Sequence, residues 1–195
     1  MATPYPIPAP SSPAPRWRSE PFRVFFPLGV VLGWGGVAQW VLYAAGAAQT
    51  YSCFRHGLLQ MQTFLMAFAV GFLLTAIPRR TASAPASGTE VGVVAAALLG
   101  TALALQFEAW VVAELCELTV FAVLLQFAVR RFLGAWAGRR PPAPFVMVPL
   151  GMLDGVVGAS LLIARAAFDA PPWTLRAGQL LIEQVARFFV PARLP

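Results

Sequence analysis

Four groups of residues in this 195-residue chain have types and spacings that could do chemistry. Cys53 and His56 stand at Cys-x-x-His spacing, with Met61 and Met66 further along. Thiolate, imidazole and thioether together suit copper or haem iron. His56 is the sole histidine, so a bis-histidine haem within one subunit is excluded, and a hydrogen-bonded imidazole beside Arg55 is the bland alternative. Glu114 and Glu117 are three residues apart and share a helix face. Paired carboxylates inside a membrane could relay protons or bind a cation, or else form a polar seam between helices. Asp154 sits between Gly151 and Gly155, where a close helix could offer Arg187 or Gln60 as a partner. Arg176, Gln179, Glu183 and Arg187 recur at three- and four-residue steps, with Glu183 and Arg187 spaced for an ion pair. Gln60 and Gln62 join these groups as intramembrane hydrogen-bonders.

The elements that must carry them are membrane spans. The chain is 58% hydrophobic and only 11% charged, with a mean hydropathy of +0.70, whereas soluble domains carry about 25% charge. The expected fold is all-α, a polytopic transmembrane bundle of six spans over about 24–45, 57–78, 90–106, 108–129, 145–166 and 173–190. The apolar stretch 91–129 is too long for one crossing of about 30 Å of hydrocarbon, so it splits at Gln106-Phe107-Glu108. Gly29, Gly33 and Gly36 on the first span, and Gly151, Gly155 and Ala159 on the fifth, predict small faces for close helix packing. The last segment either spans with its polar side inward or lies in the interface; spanning is the preferred reading.

Residues 1–20 read as a Pro/Ala-rich flexible tail without an apolar core, so no cleavable signal peptide is expected and the first span acts as an anchor. Residues 21–195 form one membrane domain. Arg16, Arg18, Arg23, Arg79, Arg80, Arg130, Arg131, Arg139, Arg140 and Arg193 fall on one side, which puts both termini in the cytoplasm. The net charge of +6 therefore marks loops facing anionic lipid, and no nucleic-acid surface is expected. Cys53 lies near an aqueous face and Cys116 inside a span, so no disulfide joins them. No P-loop, dinucleotide-binding glycine motif, His-Glu-x-x-His or Cys-x-x-Cys is present.

Two words in the sequence carry a family likeness. Pro21-Phe22-Arg23-Val24-Phe25-Phe26 opens the first span and Gly71-Phe72-Leu73-Leu74-Thr75-Ala76-Ile77-Pro78 closes the second, with a fainter match at Leu180-Leu181-Ile182-Glu183-Gln184. On these the chain resembles the N-terminal half of the NnrS family, bacterial membrane proteins associated with the response to nitric oxide and with haem and copper. The likeness implies an inner-membrane protein of the nitrosative-stress or haem/metal-related class, and places His56 at the first histidine of the family's ligand motif. The second histidine of that motif falls on Leu58 and its acid on Leu59. Cys53, His56 and Met61 are the candidate metal ligands, with haem or copper the implied cofactor. The expected partners are the bilayer and a second copy or another membrane subunit. Two other classes stay open: a small structural subunit of a larger complex, and an ion- or proton-coupled transporter half.

Overall fold

The computed structural model describes residues 15–132 and 147–189, and among them there is no strand. After a single turn, α1 (Arg16–Ser19), come α2 (Phe22–Ala44), α3 (Cys53–Leu58), a π-helical segment (Leu59–Leu65), α4 (Met66–Thr81), α5 (Gly88–Gln106), α6 (Trp110–Phe132), α7 (Met147–Phe168) and α8 (Trp173–Phe189). The stretch from α3 to α4 is one continuous rod, Cys53–Thr81. Among the described residues five helices have the length and apolarity to cross a membrane: α2, this rod, α5, α6 and α7. The chain is therefore a multi-pass membrane protein. α8 falls short of them, since its seventeen residues include Arg176, Glu183 and Arg187. It nevertheless folds back along α7, with Thr174, Gly178, Ile182 and Val185 buried at helical spacing.

Glycines set how closely the helices approach. A methyl group added at Gly29 would lie 2.9 Å from the Phe68 ring, at Gly33 2.7 Å from the Phe64 ring, and at Gly36 2.5 Å from Gln60 Nε2. α2 thus lies against the π segment and α4 along its whole small face. The contact is reciprocal at Gly71, where an added Cβ would meet Phe25 Cβ at 3.0 Å and Phe22 Cα at 3.1 Å. Thr75 accepts from the Phe22 backbone N–H (3.3 Å) while donating to the Gly71 carbonyl. α7 and α8 meet at Gly158 and Gly178, each within 3.0 Å of the other's carbonyl oxygen once a Cβ is added.

The caps follow the local sequence. Ser87 and Glu90 form a reciprocal capping box on α5, at 3.1 and 2.7 Å. Ala82 ends α4 in the left-handed region, and Glu108, also left-handed, turns the chain between α5 and α6. Ion pairs fasten the ends. Glu20 joins Arg23 and Arg79, and the Arg23 hydrogen bond foremost holds its carboxyl below the usual carboxylate range. At the opposite end Arg55 binds Glu108 (2.9 Å) and Gln39 (3.1 Å), and Gln39 in turn donates to Gln106.

Two apolar clusters fill the bundle. The larger joins Phe25, Met66, Val70, Leu98, Val120, Phe121, Met152 and their neighbours toward the arginine-rich end. The smaller joins Leu58, Leu59, Leu105, Ala113, Leu162 and Ile182 toward the other. Outside, Val31, Trp34, Leu103 and Leu153 are exposed, as expected of lipid-facing side chains.

The tightest glycine among the described residues is Gly155, because an added Cβ would overlap the buried Phe121 ring. Gly155→Ala is expected to lower stability by about 1–3 kcal/mol, the cost of overpacking, in detergent-unfolding titrations. Gly92→Ala, with nothing within 4 Å of the new methyl, should be neutral or slightly stabilising. Equal losses in the two variants would contradict the packing described.

Candidate functional site

Between the two apolar clusters lies a thin polar layer. Gln62 comes from the π segment, Glu114 and Glu117 from α6, and Thr101 from α5, all buried. Gln62 donates its amide to both carboxyl oxygens of Glu114, at 3.0 and 2.9 Å. Thr101 donates to the Ala97 carbonyl at 3.1 Å and lies 3.5 Å from the Ala113 carbonyl. Both oxygens of Glu117, and Gln62 Oε1, have no hydrogen-bond partner among the described residues. Three acceptor atoms are thus left open in a closed interior, where unsatisfied polar groups are costly.

The π segment makes this layer possible. An extra residue per turn changes which side chains face a neighbour, and such segments recur at functional sites. Here it presents Gln60 to the Gly33 carbonyl of α2 (3.2 Å) and Gln62 to α6. Thr63 Oγ1 meanwhile occupies the Leu59 carbonyl at 2.6 Å.

Glu114 also lines a cavity of about 330 Å³, walled by Phe54, Leu58, Trp110, Leu162 and Leu175 and bordered by Arg165 and Asp169. Arg165 binds Asp169 and the Ala170 carbonyl at the turn into α8. Taking 1.5 Å per residue, Glu114 lies roughly 6 Å and Glu117 roughly 10 Å beyond Trp110 along α6. The carboxyl pair is therefore approached from the end opposite the arginine-rich one.

His56 stands apart from this layer. Its Nδ1 lies 3.1 Å from the Gly36 carbonyl. A carbonyl only accepts, so Nδ1 carries a proton and Nε2 is the ring nitrogen left to bind a ligand. His56 lines a second cavity, of about 250 Å³, together with Gln60, Met61, Gln179 and Glu183. Cys53 is exposed and does not line it. Among the described residues no three of His, Cys, Asp and Glu gather as a metal cluster. Imidazole, thioether and carboxylate from His56, Met61 and Glu183 do share one crevice, which the Cys53 thiol does not join.

Asp154 is half-buried and finds no hydrogen bond among the described residues. Gln60 does not serve it, being bound to Gly33 instead. The Arg187 side chain, expected to partner Asp154 or Glu183, lies outside the described residues. Glu183 and Arg176 are exposed on α8. Both cysteines are free thiols.

A family model described as NnrS protein matches residues 16–190. The chain belongs to the NnrS family. No curated protein and no solved structure matches it. The two NnrS words quoted from the sequence prove to face each other, since Phe22 and Phe25 of the first rest on Gly71 and Thr75 of the second. They form a packing seam rather than a ligand site. Sequence reasoning did not foresee the Gln62–Glu114 bond or the Arg55–Gln39–Gln106 network; opposed glutamines and acids on separate spans were the available signal.

If Gln62 holds Glu114 in place, Gln62→Leu should cost about 0.6–2 kcal/mol in unfolding titrations, the range for polar contacts inside membranes. Adding Glu114→Leu should recover part of that loss, because both partners are then apolar. Strict additivity of the two changes would show that they do not interact.

Proposed function

We propose that this NnrS family member is a protein of the bacterial inner membrane, acting in the nitric-oxide-response class, and that its working centre is the Gln62–Glu114–Glu117 layer. The layer takes up a cation, in the simplest case a proton, from the cavity beside Trp110 and passes it across the membrane. One observation carries the reading: Glu117 is fully buried and neither of its oxygens has a partner among the described residues, while Glu114 is one turn away on the same face. Two carboxylates cannot both keep full charge in a dry interior without a counter-charge, so a proton or small cation must join them. Gln62 fixes one carboxyl through its amide and leaves its own oxygen free as a further ligand. The Arg165–Asp169 pair at the mouth neutralises itself and leaves the way open to a cation.

Purified protein in liposomes loaded with a pH-sensitive dye tests this. Proton movement driven by a potential should fall at least tenfold in Glu117→Gln and in Glu114→Gln. The same assay with a sodium gradient separates a metal cation from a proton. Unchanged flux in both variants, or no flux above empty liposomes, would defeat the reading.

A second reading rests on the crevice at His56. The fixed Nδ1 proton leaves Nε2 available, and Met61 and Glu183 line the same walls. These residues would hold copper, which would supply redox chemistry and affinity for small diatomic ligands. Copper bound after reconstitution should reach one equivalent and be lost in His56→Ala but kept in Cys53→Ala. An optical spectrum of the same sample tests haem. Copper retained by His56→Ala would rule this crevice out.

A further inference from the structure

The arginine-rich end holds a pocket that the carboxyl layer does not use. About 240 Å³ in volume, it is lined by Arg18, Ala84, Pro85, Ser87, Glu90, Arg130 and Arg131. Its three guanidinium groups play different parts. Arg131 is buried and structural: its guanidinium lies 3.5 Å above the Phe127 ring and donates to the carbonyls of Ala84 (3.1 Å), Pro85 (3.2 Å) and Phe127 (3.2 Å). It also faces Glu90 at 3.5 Å. Arg18 uses only Nε, toward the Ala86 carbonyl at 3.3 Å. Arg130 is exposed and has no hydrogen bond or ion pair among the described residues.

The acid in the pocket is already engaged. Glu90 accepts from the Ser87 backbone and from Arg131, so Arg18 and Arg130 face a cavity with no free counter-charge. Planar guanidinium forks with unused N–H groups are suited to phosphate oxygens. Trp17, 43% exposed, packs on Gly88 beside the pocket, and a tryptophan there marks the level of the lipid headgroups. Basic pockets between spans at the membrane surface are the usual seats of anionic headgroups.

We propose that this pocket binds the phosphate of an anionic phospholipid, with Arg18 and Arg130 as its ligands and Arg131 as the post that holds its wall. The bound headgroup ties α1, the α4–α5 turn and the end of α6 to the membrane surface.

The full-length protein in nanodiscs tests it, by the retention of phosphatidylglycerol against phosphatidylcholine measured by native mass spectrometry. Arg18→Gln with Arg130→Gln should weaken phosphatidylglycerol retention by more than the roughly thirtyfold that two basic residues give as surface charge alone, at about fivefold each. Arg80→Gln, an exposed arginine at the same end but outside the pocket, should change it no more than about fivefold, the effect of one surface charge. Equal loss in the double variant and in Arg80→Gln would reduce the effect to general surface charge and overturn the proposal. Saturation by inorganic phosphate in detergent, with no preference among lipids, would overturn the lipid assignment in favour of a free anion. Arg131→Gln is not used, because its loss would unseat the α4–α5 turn.

Discussion

Everything else in the bundle hangs on how closely α2 can approach the second span. Water drives apolar surfaces together in soluble proteins, but lipid tails are as apolar as leucine, so helices in a bilayer associate through close packing and hydrogen bonds. Gly29, Gly33 and Gly36 remove the side chains that would hold the rods apart, and Phe68, Phe64 and Gln60 fill the space. The same approach exposes backbone carbonyls to neighbouring side chains. Gly33 receives Gln60 and Gly36 receives His56. A residue larger than glycine would lose the packing and these hydrogen bonds together. With one flank of the rod fixed on α2, its π segment turns Gln62 toward α6.

The polar layer follows from that placement. Gln62 lies between Leu59 and Met66, and the acids between Ala113 and Val120, so each belongs to the boundary between the two apolar clusters. A bundle built for stability alone would continue Leu, Val and Phe through this level. Keeping two acids, an amide and a threonine there fixes register between three helices, at the cost of open acceptors on Glu117 and Gln62. Register alone would be served by a satisfied pair such as Gln62 and Glu114. The unsatisfied Glu117 is what needs a ligand to explain it.

Much of this was legible beforehand. Length and apolarity bring out the five long apolar helices, because a bilayer allows few lengths and demands helices; the sixth span expected, over 173–190, falls on α8, which is too short to count with them. The glycine repeats of α2 and α7 announced their small faces, and the acids on α6 stood out because charge inside a span is rare. What pairs with those acids was not readable, since Gln62 and Glu114 are 52 residues apart and a π segment has no simple sequence mark. Without it, a regular helix through Leu59–Leu65 would turn Gln62 to a different face. Asp154 illustrates the same limit: its neighbours suggested Arg187 or Gln60, yet the Gln60 amide donates to the Gly33 carbonyl. The family words pointed to the right family, and the structure adds what they do. Their aromatic and glycine content looks like a signature, but it records how α2 and α4 fit.

The two ends of the bundle differ in a way that bears on direction. At the arginine-rich end, Arg131 and the Glu20 clasp close the helices over the larger apolar cluster. At the other end, cavities reach His56 and Glu114 within the first turns of their helices. A cation entering beside Trp110 therefore meets the carboxyl pair early and then faces Met66, Val120 and Phe121. Uptake and release through one mouth needs no rearrangement of those side chains. Passage through does, and Phe121 is seated over Gly155 of α7, so α6 and α7 would have to separate at that contact before a path could open. Binding is the lower-energy act, and transport requires the α7–α8 hairpin to move.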